Sequence, residues 1–277
     1  MMTPERNISI MGIVNITDDS FYQGSRFSSA DTALEKIGKM LEEGADIIDI
    51  GACSTRPGAE MVGPELEWKR LRPVLEVLMR LYPNTQVSVD TCWSAVVEKV
   101  HDLVGDFIVN DISAGEDDPG MLPVVGKLGL RYIAMHKRGT PRTMHEFTDY
   151  ESVTEDVVAY FNRFSEKAAA NGIKSWVLDP GFGFAKSIDQ NYQMLRELDR
   201  FREVRCGDES VPDILVGVSR KSMIYKMFDI TPEESLPQTQ VLHLVALQKG
   251  ADILRVHDVA EARRTVDLYH ILSHKKL

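Results

Sequence analysis

Short apolar runs, most of them rich in β-branched residues, recur eight times along the chain, at Ile8 to Asn15, Asp46 to Gly51, Gln86 to Asp90, Phe107 to Asp111, Arg131 to His136, Ser175 to Asp179, Ile214 to Ser219 and Ile253 to His257. Between them, apolar residues fall three and four positions apart. That spacing predicts helices over Thr32 to Glu43, Glu65 to Arg80, Ser94 to Asp102, Val153 to Ala170, Asn191 to Arg200, Pro237 to Lys249 and Ala260 to Ser273. Gly44 and Gly250 follow apparent helix ends, and Asn171-Gly172 closes the long helix after the fifth run. Strands alternating with helices imply βαβ units and a parallel sheet. Eight such units in 277 residues favour closure into a single (β/α)8 TIM barrel over an open doubly wound sheet. No linker or low-complexity segment interrupts the pattern, so residues 1–277 are expected to form one barrel domain.

A barrel of this kind gathers its chemistry at the carboxyl ends of the strands, where the loops converge on one mouth. The runs end on Asn15, Gly51, Asp90, Asn110-Asp111, His136, Asp179, Ser219 with Arg220 and Lys221, and Arg255 with His257. Asp90 and Asp179 close apolar strands, where an unpartnered carboxylate is costly. Each could cap a helix or tie down a loop. Together with Asn110 they also suit a flat heterocycle rich in hydrogen-bond donors. Lys221 could donate to a carbonyl or ring nitrogen, or could stand as half of a solvated basic pair with Arg220. Alternation puts Arg255 and His257 on one side of the last strand, which suits phosphate or pyrophosphate.

Composition narrows the partners. The formal net charge is −10, which disfavours nucleic acid and requires any anionic ligand to meet a local cationic cluster. No stretch approaches the roughly 18 apolar residues of a membrane span, and the polar segment from Met1 to Arg6 is unlike a signal peptide, so a cytoplasmic protein is expected. Cys53, Cys92 and Cys206 lie far apart without a C-x-x-C pair, which argues for reduced thiols. Two tempting motifs fail. Gly181 to Ser187 resembles a phosphate-binding loop, but Ala185 occupies the position before Lys186 where glycine is required. There is no H-E-x-x-H, and so no zinc hydrolase signature.

Taken in order, Met11 to Thr17 with Asp19 to Phe21, Asp46 to Gly51, Ser54 to Gly58, Ser88 to Thr91, Asn110 to Ser113, Met135-His136 with Arg138-Gly139, Asp179 to Gly181, Ser219 to Ser222 and Arg255 to Val259 resemble the dihydropteroate synthase family. The resemblance implies a barrel that joins 6-hydroxymethyl-7,8-dihydropterin pyrophosphate to 4-aminobenzoate, with Mg2+ as cofactor and a homodimer as the assembly. It implies a pterin pocket of Asp90, Asn110, Met135, Asp179, Phe184, Gly217 and Lys221. Asn15, Arg255 and His257 match the pyrophosphate positions, with Asn15 also on the metal, and Phe21, Thr55, Arg56, Pro57 and Ser222 match the aminobenzoate side. Asp90, Lys221, Arg255 and His257 are the expected catalytic residues. The chain departs from the family pattern at Asp18, Gln23, Cys53 and Tyr225. Those departures keep open a barrel that binds pterin without turnover. Two rival enzyme classes stay open beside it, a pterin-dependent methyltransferase domain and a Schiff-base aldolase acting through Lys221.

Overall fold

The computed structural model describes residues 6–16, 29–52, 62–140, 143 and 146–273. Its strands are β1 (Ser9–Asn15), β2 (Ile47–Gly51), β3 (Gln86–Asp90), β4 (Ile108–Asp111), β5 (Arg131–Met135), β6 (Val177–Asp179), β7 (Asp213–Val216) and β8 (Ile253–Val256). They pair in parallel in chain order, and β8 returns to β1 to close the barrel. Nine helices among the described residues surround it: α1 (Ser29–Glu42), α2 (Pro64–Leu81), α3 (Ser94–Val104), α4 (Met121–Leu128), α5 (Val153–Ala170), α6 (Ile188–Arg196), α7 (Ser222–Phe228), α8 (Leu236–Gln248) and α9 (Val259–Ser273).

The long helices follow the periodicity of the sequence. On α2, Leu71, Val74, Leu75 and Leu78 are buried, a stripe at i, i+3, i+4 and i+7. On α5, Val157, Phe161, Phe164 and Ala168 do the same. Two short helices, α4 and α7, carry no such forecast because eight and seven residues are too few to display a period. The expected helix Asn191 to Arg200 is divided. Ser187 and Gln190 form a reciprocal capping box that starts α6 three residues early, and Glu197 leaves helical geometry before a 3-10 turn over Leu198–Glu203.

Side chains alternate across each strand, so every second residue points into the barrel. The lower inward layer is an apolar plug of Met11, Ile47, Ile108, Ile133, Val177, Leu215 and Ile253. Two residues further along the same strands come Ile13, Asp49, Asn110, Met135, Asp179, Gly217 and Arg255, with Asp90 following Ser88 on β3. The period of two thus sets a polar layer directly above a dry one. The outward positions, such as Ile48, Ile50, Val89, Val109, Tyr132, Leu178 and Leu254, pack under the helices.

Candidate active site

Asp49 is the hub of the polar layer and has no exposure to solvent. Its carboxylate accepts from Ser88 Oγ at 2.6 Å, from Asn110 Nδ2 at 3.1 Å and from Arg255 Nε at 2.7 Å. The Arg255 Nη2 lies 2.6 Å from Asp49 and 3.1 Å from Asp90 Oδ2, so one guanidinium spans carboxylates of β2 and β3. Burial raises the pKa of Asp90 above the ordinary carboxylate range; Arg255 opposes the shift, while Asp49, Asp111 and Asp179 reinforce it. Asp179 is raised as well, by burial, although Lys221 and a hydrogen bond from the Gly181 N–H at 2.8 Å favour its charged form.

Lys221 faces these acids from the loop after β7. Its ammonium donates to the Phe182 carbonyl and stands 4.8 Å from the centre of the Phe184 ring. Burial pulls its pKa down to about 8, against the pull of Asp179 in the other direction. Met135 lines the floor beside Gly181, and both are buried. Gly217 sits beside Arg255: a Cβ added there would stand 3.9 Å from Arg255 Cβ, an ordinary contact distance.

Two groups stand at the open rim, Asn15 and His257, both exposed. Gly51 lies between Asn15 and Asp90: a Cβ there would be 3.5 Å from Asn15 Oδ1 and 3.7 Å from Asp90 Oδ2. His257 Nδ1 is 3.0 Å from Ser219 Oγ. The protein around its ring, followed by the charges of Arg255 and Lys36, holds its pKa below the usual imidazole range even though one edge meets solvent. Ser222 opens α7 directly after Lys221, half-buried.

Asn15, Asp90, Asn110, Met135, Asp179, Phe184, Gly217, Lys221, Ser222, Arg255 and His257 are thus all carried by strand ends, or by the loops just beyond them, at one face of the barrel. Phe21, Thr55, Arg56 and Pro57, expected on the aminobenzoate side, lie outside the described residues, as do Asp18, Gln23 and Cys53. Two other strand-end groups serve the scaffold. Asp111 points outward and takes hydrogen bonds from Ser113, Gly115 and Tyr132. Arg220 makes a bidentate pair with Asp258 at 2.9 and 2.6 Å.

The model of the family described as pterin binding enzyme matches residues 11–257 of this chain. The chain is also 42% identical over 253 residues to a dihydropteroate synthase of Haemophilus influenzae, spanning 91% of this chain and 89% of that protein. The chain belongs to the dihydropteroate synthase family. Among solved structures of that family, the Xanthomonas albilineans dihydropteroate synthase with 4-aminobenzoic acid superposes with a TM-score of 0.88 at 33% identity, covering 98% of this chain and 94% of that one. The Burkholderia cenocepacia dihydropteroate synthase complexed with 7,8-dihydropteroate gives 0.85 at 33% identity, over 98% and 93%.

In this dihydropteroate synthase family barrel the Tyr225 departure falls within α7, beyond the Ser219 to Ser222 turn. Tyr225 is half-buried and its N–H bonds back to the Lys221 carbonyl. Sequence reasoning gave Asp49 no role of its own. The available signal was its inward register, two residues beyond Ile47 and two before Gly51. Glu67 was also missed; it is buried in the first turns of α2 beside Thr91, and nothing in its local sequence distinguishes it from an exposed helical acid.

Proposed function

We propose that this mouth condenses 6-hydroxymethyl-7,8-dihydropterin pyrophosphate with 4-aminobenzoate to give 7,8-dihydropteroate and pyrophosphate, a step of folate synthesis. One observation carries the assignment of roles: Asp90, Asn110, Met135, Asp179, Gly217 and Arg255 come from the ends of six consecutive strands and all occupy the inward layer above the apolar plug. The pterin lies in that layer. Its N–H groups face Asp90 and Asp179, Asn110 supplies an amide, Lys221 donates to a ring oxygen or nitrogen, and Met135 and Phe184 contribute apolar contact.

Arg255 and His257 receive the pyrophosphate. The bond between the pterin methylene carbon and the pyrophosphate oxygen breaks, and the electron pair leaves with the oxygen. Positive charge left on the pterin is stabilised by Asp90, and the negative leaving group by Arg255 and His257. The lone pair of the aminobenzoate nitrogen then forms the new C–N bond, and the nitrogen gives up one proton to solvent or to the departing pyrophosphate. Thr55, Arg56, Pro57, Phe21 and Ser222 are assigned to the aminobenzoate.

Magnesium fits the rim. Asn15 offers one neutral oxygen, and among the described residues no cluster of three His, Cys, Asp or Glu could build a site from protein alone. Such an ion would take its remaining ligands from substrate phosphates and water, and would neutralise charge on the leaving group. We assign the reaction to the cytoplasm, where the buried thiol of Cys206 would stay reduced. No helix among the described residues is long and apolar enough to cross a membrane.

Pyrophosphate release, followed with and without 4-aminobenzoate and Mg2+, tests the reaction. Release that needs both substrates supports it. Pterin binding in a calorimeter with no release under any condition would show a barrel that binds without turnover.

A further inference from the structure

Lys186 belongs to the rejected phosphate-loop motif and has no part in the reaction above, yet it is buried, with 8% exposure. Its ammonium has three partners: His136 Nδ1 at 3.0 Å, the Gly181 carbonyl at 3.1 Å and the Phe184 carbonyl at 2.9 Å. Burial pulls the Lys186 pKa down to about 7 against the pull of Asp179; in its charged form the ammonium has three N–H donors, and this set uses all of them. The segment from Asp179 to Lys186 curls around it. Gly181, Gly183 and Ala185 have φ of +72°, +80° and +52°, and Asn191 fastens the outside of the curl by accepting from the Gly183 N–H at 2.7 Å.

His136 is held on the other side. It follows Met135, so alternation turns it away from the barrel interior, and its ring packs edge-on to Tyr160 at 4.8 Å. Burial and the neighbouring charge of Lys186 keep it neutral at ordinary pH, with a pKa of about 2, so Nδ1 can accept from the ammonium. The fit is close: a Cβ on Gly181 would fall 2.0 Å from the His136 carbonyl oxygen. The front of the same curl presents the Phe182 carbonyl and the Phe184 ring to Lys221.

We infer that Lys186 is a positioning residue for the pterin site: by drawing His136 and two carbonyls of the β6–α6 loop onto one ammonium, it fixes the loop that holds Lys221 and Phe184 at the mouth. The inference rests on the pterin reading given above. It acts through Lys221 and Phe184, since Lys186 lies behind the loop.

Lys186→Met retains length and removes all three donors. Binding of 6-hydroxymethylpterin, KM for each substrate and the melting temperature are compared with wild type. The expected result is a pterin Kd and pterin-substrate KM raised about tenfold or more, the scale of one charged hydrogen bond, with the aminobenzoate KM within about twofold. His136→Asn keeps an acceptor near the Nδ1 position and His136→Leu does not. The His136→Asn protein should therefore retain pterin affinity that the His136→Leu protein loses, and this pair decides the matter if Lys186→Met does not fold.

A Lys186→Met protein that binds pterin like wild type overturns the inference, as does an equal rise in both KM values accompanied by a lower melting temperature, or equal pterin affinity in the His136→Asn and His136→Leu proteins. Failure of the wild-type protein itself to bind 6-hydroxymethylpterin would instead count against the pterin reading.

Discussion

Arg255 is placed where the planar fork of a guanidinium matters, because it meets Asp49 through two nitrogens and Asp90 through one of them. Asp90→Asn and Arg255→Ala should each lower turnover about 10²-fold or more, the scale of losing one preorganised electrostatic contact, and near-wild-type pyrophosphate release would remove them from the mechanism. Glu67 leads to a separate, pH-dependent expectation. Among the described residues its Oε1 is buried without a hydrogen-bond partner, and burial, with Asp90 nearby, pushes its pKa up to about 7 despite a hydrogen bond with Thr91. In the unfolded chain this carboxyl ionises near its ordinary value of 4.5, whereas in the folded protein it stays protonated until about 7. Stability from this group is therefore complete below pH 4.5 and is lost as pH rises to 7. Glu67→Gln removes that slope, so urea unfolding at pH 5 and pH 8 should differ less in the variant than in wild type, by on the order of 3 kcal/mol. Identical pH dependence in the two proteins would assign the slope to Asp90, Asp111 and Asp179, whose pKa values are raised too.

At the level of single elements, the sequence displayed what has a period and concealed what is short. The stripe on α2 could be read directly, whereas α4 contains Pro123 and Gly126 within eight residues and resembles a loop. Contact explains why α4 tolerates its glycine. A Cβ at position 126 would come within 1.7 Å of the Asn171 carbonyl oxygen, at the end of α5. In an isolated helix, alanine in place of glycine would gain about 1 kcal/mol. Here backbone faces backbone, so Gly126→Ala should instead destabilise the protein by about 3 kcal/mol through overpacking. A Gly126→Ala protein as resistant to urea as wild type would mean that α4 can move away from α5 without cost. The strand ends were legible for a similar reason, since apolar runs close on Asp90 and Asp179 and alternation sets Arg255 and His257 on one side of the last strand. Asp49 escaped because its importance lies in partners on β3, β4 and β8, which no local pattern reveals.

At the scale of the whole molecule, closure was implied by eight strand-helix units, but what covers the outside was not, because exposure depends on how the helices are seated. Six of the eleven large apolar residues exposed among the described residues fall on the three last helices: Met227 and Phe228 on α7, Val241 on α8, and Leu268, Ile271 and Leu272 on α9. The helix α8 buries Ala246 and Leu247 while leaving Val241 61% exposed, so apolar residues occupy both its inner and outer sides. A concentration of this kind favours association, and a lasting interface needs roughly 800 Å² from each partner, more than scattered single side chains provide. We therefore expect the homodimer suggested by the family resemblance to form through α7, α8 and α9. Sedimentation at micromolar concentration should give about 62 kDa, twice the 31.2 kDa of one chain. Val241→Glu and Ile271→Glu alter exposed positions away from the barrel mouth, so they should shift the protein toward the monomer, with whatever stability association adds lost, while leaving its pterin affinity in place. A wild-type protein that sediments as a single chain across that range, or a dimer indifferent to both charges, would put the interface elsewhere or remove it.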